Sequence, residues 1–143
     1  MRAIRAKDTS PELAVRSGLH RAGLRFRLHD SSLPGSPDIV LPRHRTVIFV
    51  HGCFWHRHFG CAQSTLPQRN REWWIAKLRR NRMRDRQAQR ALEAIGWRVI
   101  VVWECAISRE HTGVPLDLSR LARLARRAAS DFAPRIPRPP RNR

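Results

Sequence analysis

The sequence predicts a mixed α/β domain, helices on a small sheet, in the order helix, three strands, helix, strand and a helical end. Three observations carry that reading. Two short apolar runs, Asp38-Ile39-Val40-Leu41 and Val47-Ile48-Phe49-Val50, flank Pro42-Arg43-His44-Arg45, which is a hairpin signal. A long helical stretch, Arg69 to Ile95, comes next. It is followed by Trp97-Arg98-Val99-Ile100-Val101-Val102-Trp103, the strongest strand signal of the chain.

Each element has a local reason. Ser10-Pro11-Glu12 reads as an N-cap, a proline at the first helical position and an acid in the first turn. Val15, Gly18, Leu19 and Ala22 then share one helical face, and Gly23 stops the helix. Leu24-Arg25-Phe26-Arg27-Leu28 alternates as a half-buried strand should, and Pro34-Gly35-Ser36-Pro37 is turn chemistry. His51 to Leu66 is irregular and rich in Cys, His and aromatic residues. The long helix presents Trp74, Leu78, Ala88, Leu92 and Ile95 inward and ends at Gly96. A last helix is expected around Leu116–Ala129, and the Pro/Arg-rich tail, residues 134–143, is expected not to pack.

With 143 residues the chain reads as one domain, 1–133, large enough to bury a core without disulfides. Its 29 Lys+Arg against 11 Asp+Glu give a net charge of +18, which attracts polyanions. Nucleic acid is the expected partner, with binding that weakens by a slope of about −0.9 per neutralised phosphate in log affinity against log salt. No apolar run is long enough to span a bilayer. Met1–Lys7 leads into no hydrophobic segment of a signal peptide, and three unevenly spaced cysteines fit no disulfide framework. A reducing, cytoplasmic setting is the expectation.

Cys53, His56, His58 and Cys61 lie close together, and Cys105 sits just past the last strong strand. Zinc takes four such donors in a tetrahedron, and one distant ligand would tie the irregular segment onto the sheet. The spacing leaves open whether His56 or His58 is the ligand; the other is then available to move protons. Asp38 opens a buried strand just after Pro37. A nuclease needs a carboxylate to hold a divalent cation and a proton-transfer group, and Asp38 with His56 or His51 meets that minimum. Glu12 is a second available carboxylate, although charge stabilisation of its helix would account for it alone.

Four segments together resemble the very-short-patch-repair (Vsr) mismatch endonuclease family. They are M-R-A-I at 1–4, L-P-G-S-P-D-I-V at 33–40, V-I-F-V-H-G-C-F-W-H at 47–56 and G-W-R-V-I-V-V-W-E-C at 96–105. The resemblance implies a restriction-endonuclease-like core and magnesium-dependent nicking of one strand 5′ to the thymine of a T·G mismatch. It also implies a structural zinc. By position, Asp38 looks like the magnesium-binding aspartate and His56 like the catalytic histidine, with Glu12 supporting that histidine or the water around the metal. Val50 stands where some members have threonine, which matters little if only its main-chain carbonyl meets magnesium. Cys53, His58, Cys61 and Cys105 fall on the zinc ligands.

The same resemblance makes Phe54, Trp55 and Trp74 the aromatics that wedge into DNA beside the mispair, where unstacking costs less. Lys77 and Asn81 match positions that contact the mismatched pair. Trp73 adjoins Trp74, and only one of the two is expected to face DNA. The chain begins at the Met1 motif without the N-terminal residues common in the family, which bears on affinity or mismatch selectivity. One extra residue lies between His58 and Cys61, at Phe59-Gly60, a change a loop absorbs. The implied partners are double-stranded DNA with a T·G mismatch and mismatch-repair proteins, and the implied state is a monomer. Two other readings stand beside this one: a nuclease of the same fold with another DNA target, and a non-catalytic, zinc-stabilised DNA-binding module.

Overall fold

A computed structural model describes residues 9–107 and 118–127. Among them the helices are α1 (Ser10–Arg21), α2 (Arg71–Ala94), a short α3 (Glu104–Ile107) and α4 (Leu118–Arg127). The strands are β1 (Arg27–Leu28), β2 (Ile39–Leu41), β3 (Thr46–His51) and β4 (Arg98–Trp103), in spatial order β1-β2-β3-β4. The first two pairings are antiparallel, and β3 with β4 is parallel. A parallel pair needs a crossover, and α2 lies within it. Met1 and the tail 134–143 lie outside the described residues.

The sheet has a helical layer on each face. Ile39, Leu41, Ile48 and Val102 meet Val15 and Leu19 of α1 and Leu121, Ala122 and Ala125 of α4. On the other face Val40, Val47 and Phe49 pack with Leu92 of α2 and with Trp97. Alternation along β3 and β4 therefore turns Val47, Phe49 and His51, and beside them Val99, Val101 and Trp103, toward the α2 side. The tight turn at Gly35 also meets α2. Gly35 has φ of +74°, and a Cβ there would lie 2.5 Å from the Ala88 Cβ.

Several local expectations change. The cap of α1 is Thr9, not Ser10, because the Thr9 hydroxyl accepts from the Glu12 N–H at 3.4 Å. The strand expected at Leu24–Leu28 shrinks to Arg27–Leu28, since the Leu24 N–H is taken by the Leu19 carbonyl in closing α1. Leu24 and Phe26 still point into the core, while Leu28 does not. Ile95 was expected inward but is 50% exposed: the chain turns at Gly96, φ +90°, and Trp97 is buried in its place. The long helix begins at Arg71 after a left-handed Asn70. The hairpin and the last helix lie where expected, and the short α3 carrying Cys105 was not foreseen.

Candidate active site and metal centre

Three clusters of ligating side chains gather at one end of the sheet, where β3 outruns β2. The first is Glu12, His29 and Asp38, with ligand atoms within 4.8 Å of one another. Ile39 pairs with Ile48, so the residue before it faces the far end of β3 without any offset of the strands. There an Asp38 Oδ2 accepts the Val50 N–H at 2.7 Å. Glu12 is only 3% exposed, far more buried than helix-end charge stabilisation needs. Its Oε2 lies 3.2 Å from the Arg16 guanidinium and 3.5 Å from His29 Nε2. His29 Nδ1 lies 3.9 Å from Asp38 Oδ1.

Burial, then the charge of Glu12, pushes the Asp38 carboxyl up to about 6, against the lowering effects of the Val50 N–H, His29 and His56. Two carboxylates crowded in this way are relieved by a cation, and hard oxygen donors suit magnesium. These residues fit the metal that the family implies.

The second cluster is His51, His56 and Asp85. His56 Nδ1 lies 2.7 Å from Asp85 Oδ2, both side chains partly exposed. A carboxylate only accepts, so this bond puts the proton on Nδ1 and leaves Nε2 to take one up. Asp85 is one helical turn beyond Asn81, whose Nδ2 donates to the Trp55 carbonyl at 3.2 Å. Adjacent turns of α2 thus hold both the His56 ring and the main chain beside it. The buried His51 stacks on His56 with centroids 3.9 Å apart and planes 4° from parallel. Burial and the charge of His56 lower its pKa to about 4, so His51 is neutral at pH 7.

Cys53, His58, Cys61 and Cys105 form the third cluster, again with ligand atoms within 4.8 Å. Cys105 Sγ lies 3.4 Å from His58 Nδ1, and the Cys105 N–H donates to Cys53 Sγ at 3.4 Å. Three sulfurs and one imidazole nitrogen are the donor set of a closed zinc site. Burial pushes the Cys53 thiol up to about 12 and raises the Cys105 thiol as well, so these two ionise readily only beside a cation. Between His58 and Cys61 the chain turns at Gly60, φ +75°, with exposed Phe59 between the Arg57 and Arg82 guanidinium groups, 5.5 and 4.1 Å from its ring centroid.

The aromatics gather around Trp74. Trp74 meets Phe54 at 5.2 Å, Trp55 at 5.9 Å and Trp73 at 4.8 Å. Trp74 is packed among them, whereas Trp73 is 53% exposed with Lys77 Nζ 5.4 Å above its ring.

Two members of these clusters, His29 and Asp85, carry little signal in the sequence. His29 reaches Asp38 because its N–H pairs with the Asp38 carbonyl as the β1–β2 ladder continues. Asp85 carried a faint signal: an acid four residues after Asn81 on a helix crowded with arginine. The carboxylate on His56 is Asp85, and Glu12 belongs with Asp38.

A carboxylate pair, one buried and one half-buried, beside a carboxylate-held histidine suits attack of water on a phosphodiester, and the net charge of +18 selects a polyanion. The class is a DNA endonuclease. Residues 1–63 match the family described as DNA mismatch endonuclease Vsr. The chain is 55% identical over 108 residues to the type II nicking enzyme V.XorIIP of Xanthomonas oryzae pv. oryzae, covering 76% of this chain and 79% of that protein. It is 48% identical over 107 residues to the DNA mismatch endonuclease Vsr of Escherichia coli, covering 75% and 68%. With the type II nicking enzyme V.NmeAIP of Neisseria meningitidis the identity is 41% over 126 residues, covering 88% and 86%. The chain belongs to the Vsr DNA mismatch endonuclease family, which implies a restriction-endonuclease-like fold. Among the described residues no helix is long and apolar enough to cross a membrane.

Proposed function

We propose that the protein nicks one strand of duplex DNA 5′ to the thymine of a T·G mismatch, as the incising step of very short patch repair. The observation that carries the reading is the half-buried Asp38 carboxyl, anchored on the Val50 N–H close to the His56–Asp85 pair. Asp38 and Glu12, with the Val50 carbonyl, would hold magnesium, which when bound neutralises phosphate charge and makes water a better nucleophile.

His56 Nε2 takes a proton from the attacking water as its oxygen bonds to phosphorus. Asp85 holds the ring orientation and stabilises the imidazolium that forms. The bond from phosphorus to the leaving oxygen then breaks, and that oxygen takes a proton from solvent water to end as a hydroxyl. Neutral His51 gives His56 a flat, uncharged floor. Cys53, His58, Cys61 and Cys105 would hold zinc as a closed structural site that keeps His56 and the Phe54-Trp55 pair in place. Phe54, Trp55 and Trp74 supply the aromatic wedge, with Lys77 and Asn81 on the same helix directed to the mispair.

The test is cleavage of a panel of mismatched and matched duplexes, with and without magnesium, mapping the nicked strand. Nicking of T·G duplexes alone, 5′ to the thymine and only with magnesium, is expected. Equal nicking of matched DNA would give the protein a different target. Binding without nicking, unaffected by Asp38→Ala, would make it a DNA-binding module.

A further inference from the structure

Trp103 has no part in the proton transfer, yet it lies between the two histidine clusters. β3 and β4 run parallel and in register, and their last pair is His51 with Trp103. Both side chains therefore stand side by side on the α2 face of the sheet. Two residues further on, each chain delivers a cysteine of the metal cluster, Cys53 and Cys105.

Trp103 makes two ring contacts of different kinds. It lies flat against His58, with centroids 4.2 Å apart and planes 7° from parallel. It also meets His51 edge-on, at 5.2 Å and 73°. His51 in turn lies flat on His56 at 3.9 Å, and His56 holds Asp85 at 2.7 Å. One unbroken series of contacts thus runs from a metal ligand to the proton-transfer histidine.

We propose that Trp103 is a positioning residue, which sets the angle of His56 through His51 and locks it to the Cys53–His58–Cys61–Cys105 cluster. The inference rests on the proton-transfer role given to His56. The physical case lies in the two kinds of contact. A flat stack fixes the tilt of a ring, and a second ring packed near a right angle to it stands as a steric stop to movement within its plane. His51 is stacked on His56 and meets Trp103 at 73°, so its ring is confined in two directions. His56 inherits that constraint on its stacked face, while Asp85 fixes its in-plane direction. A small misplacement at a reacting group costs on the order of 100-fold in rate.

The experiment compares Trp103→Leu and Trp103→Phe in the full, zinc-loaded chain. Single-turnover nicking of a T·G duplex is followed with enzyme in excess. Zinc content, DNA affinity and histidine ring resonances are measured alongside. Trp103→Leu should keep about one zinc and bind DNA within about twofold of the unsubstituted protein. It should carry nicking to completion, with a rate constant lower by roughly 10- to 100-fold. The His56 ring resonances, one ring removed from Trp103, should shift or broaden. Trp103→Phe, which keeps a flat ring, should recover most of the rate.

An unchanged rate constant in Trp103→Leu overturns the proposal. So does a smaller amount of product at an unchanged rate constant, unmoved His56 resonances, or loss of zinc in both variants, which would make Trp103 merely structural. His56→Ala is the separate control: nicking at the unsubstituted rate there defeats the proton-transfer reading. The resonances report on Trp103 independently of any cleavage.

Discussion

Asp85 Oδ2 lies 2.7 Å from His56 Nδ1, joining the middle of the longest helix to the irregular segment that follows β3. Asp85 is the partner that makes His56 more than an exposed imidazole, since it selects the tautomer and awaits the charge that proton uptake creates.

Replacing Asp85 by asparagine keeps the side chain's shape and removes its charge. The single-turnover nicking rate should fall by about 10²–10⁴-fold, the range attached to a positioned proton acceptor. Asn81 still donates to the Trp55 carbonyl, so DNA affinity should stay within a few-fold. Rate constants and equilibrium binding of the same duplex separate the two effects.

The Asp38 carboxyl rises from 3.8 to about 6. A group that holds its proton more tightly when folded weakens the fold as it ionises. The metal-free protein should therefore lose stability from Asp38 as pH rises from roughly 4 to 6, by about 3 kcal/mol if the shift acts alone. Asp38→Asn should abolish that component of a urea-unfolding series against pH. Protons and a cation compete for the same oxygens, so the magnesium needed for half-maximal nicking should increase as pH falls below about 6. A magnesium requirement unchanged between pH 5 and 8 would place the cation elsewhere.

Purified protein should contain about one zinc, and Cys61→Ser should lose most of it. A chelator should lower the melting temperature of the unsubstituted chain and leave that of Cys61→Ser nearly unmoved. Zinc-free protein with an unaltered melting temperature would defeat the assignment.

Gly35→Ala adds one methyl group where two costs coincide. Its φ of +74° disfavours any side chain, and the new carbon would sit 2.5 Å from the Ala88 Cβ on α2. Roughly 2–4 kcal/mol should be lost in denaturant unfolding. Nicking per folded molecule should persist, because none of the ligating clusters includes Gly35.

How far the sequence led depended on whether the information was local. The β2–β3 hairpin, the burial of Leu78 and Leu92, and the grouping of Cys53, His58 and Cys61 follow from residues near each other in the chain. Cys105, 44 residues beyond Cys61 (105 − 61), stands out as the remote donor just past the last strand, and the motif resemblance selects His58 over His56. His29, Asp85 and Trp103 stayed hidden because their roles depend on which elements become neighbours. A histidine after a short strand, an acid among arginines and a tryptophan ending an apolar run each have an ordinary explanation. The parallel pairing of β3 and β4 is of the same kind: only the crossover over α2 brings those strands together. Ile95 failed for a different reason. The helix ends at Ala94 and Ile95 is its cap, so helical periodicity no longer sets the direction of the Ile95 side chain.

The equal lengths of β3 and β4 act as a ruler. Each is six residues long, they start together at Thr46 and Arg98, and each places a ring and then a thiol at fixed distances along the chain. Substitution inside either strand changes packing, but insertion or deletion of one residue changes the measurement itself. A slip of one would turn His51 or Trp103 to the opposite face and carry Cys53 or Cys105 about 3.3 Å along the strand axis. The gene should therefore accept many letters in these strands and no change in their number.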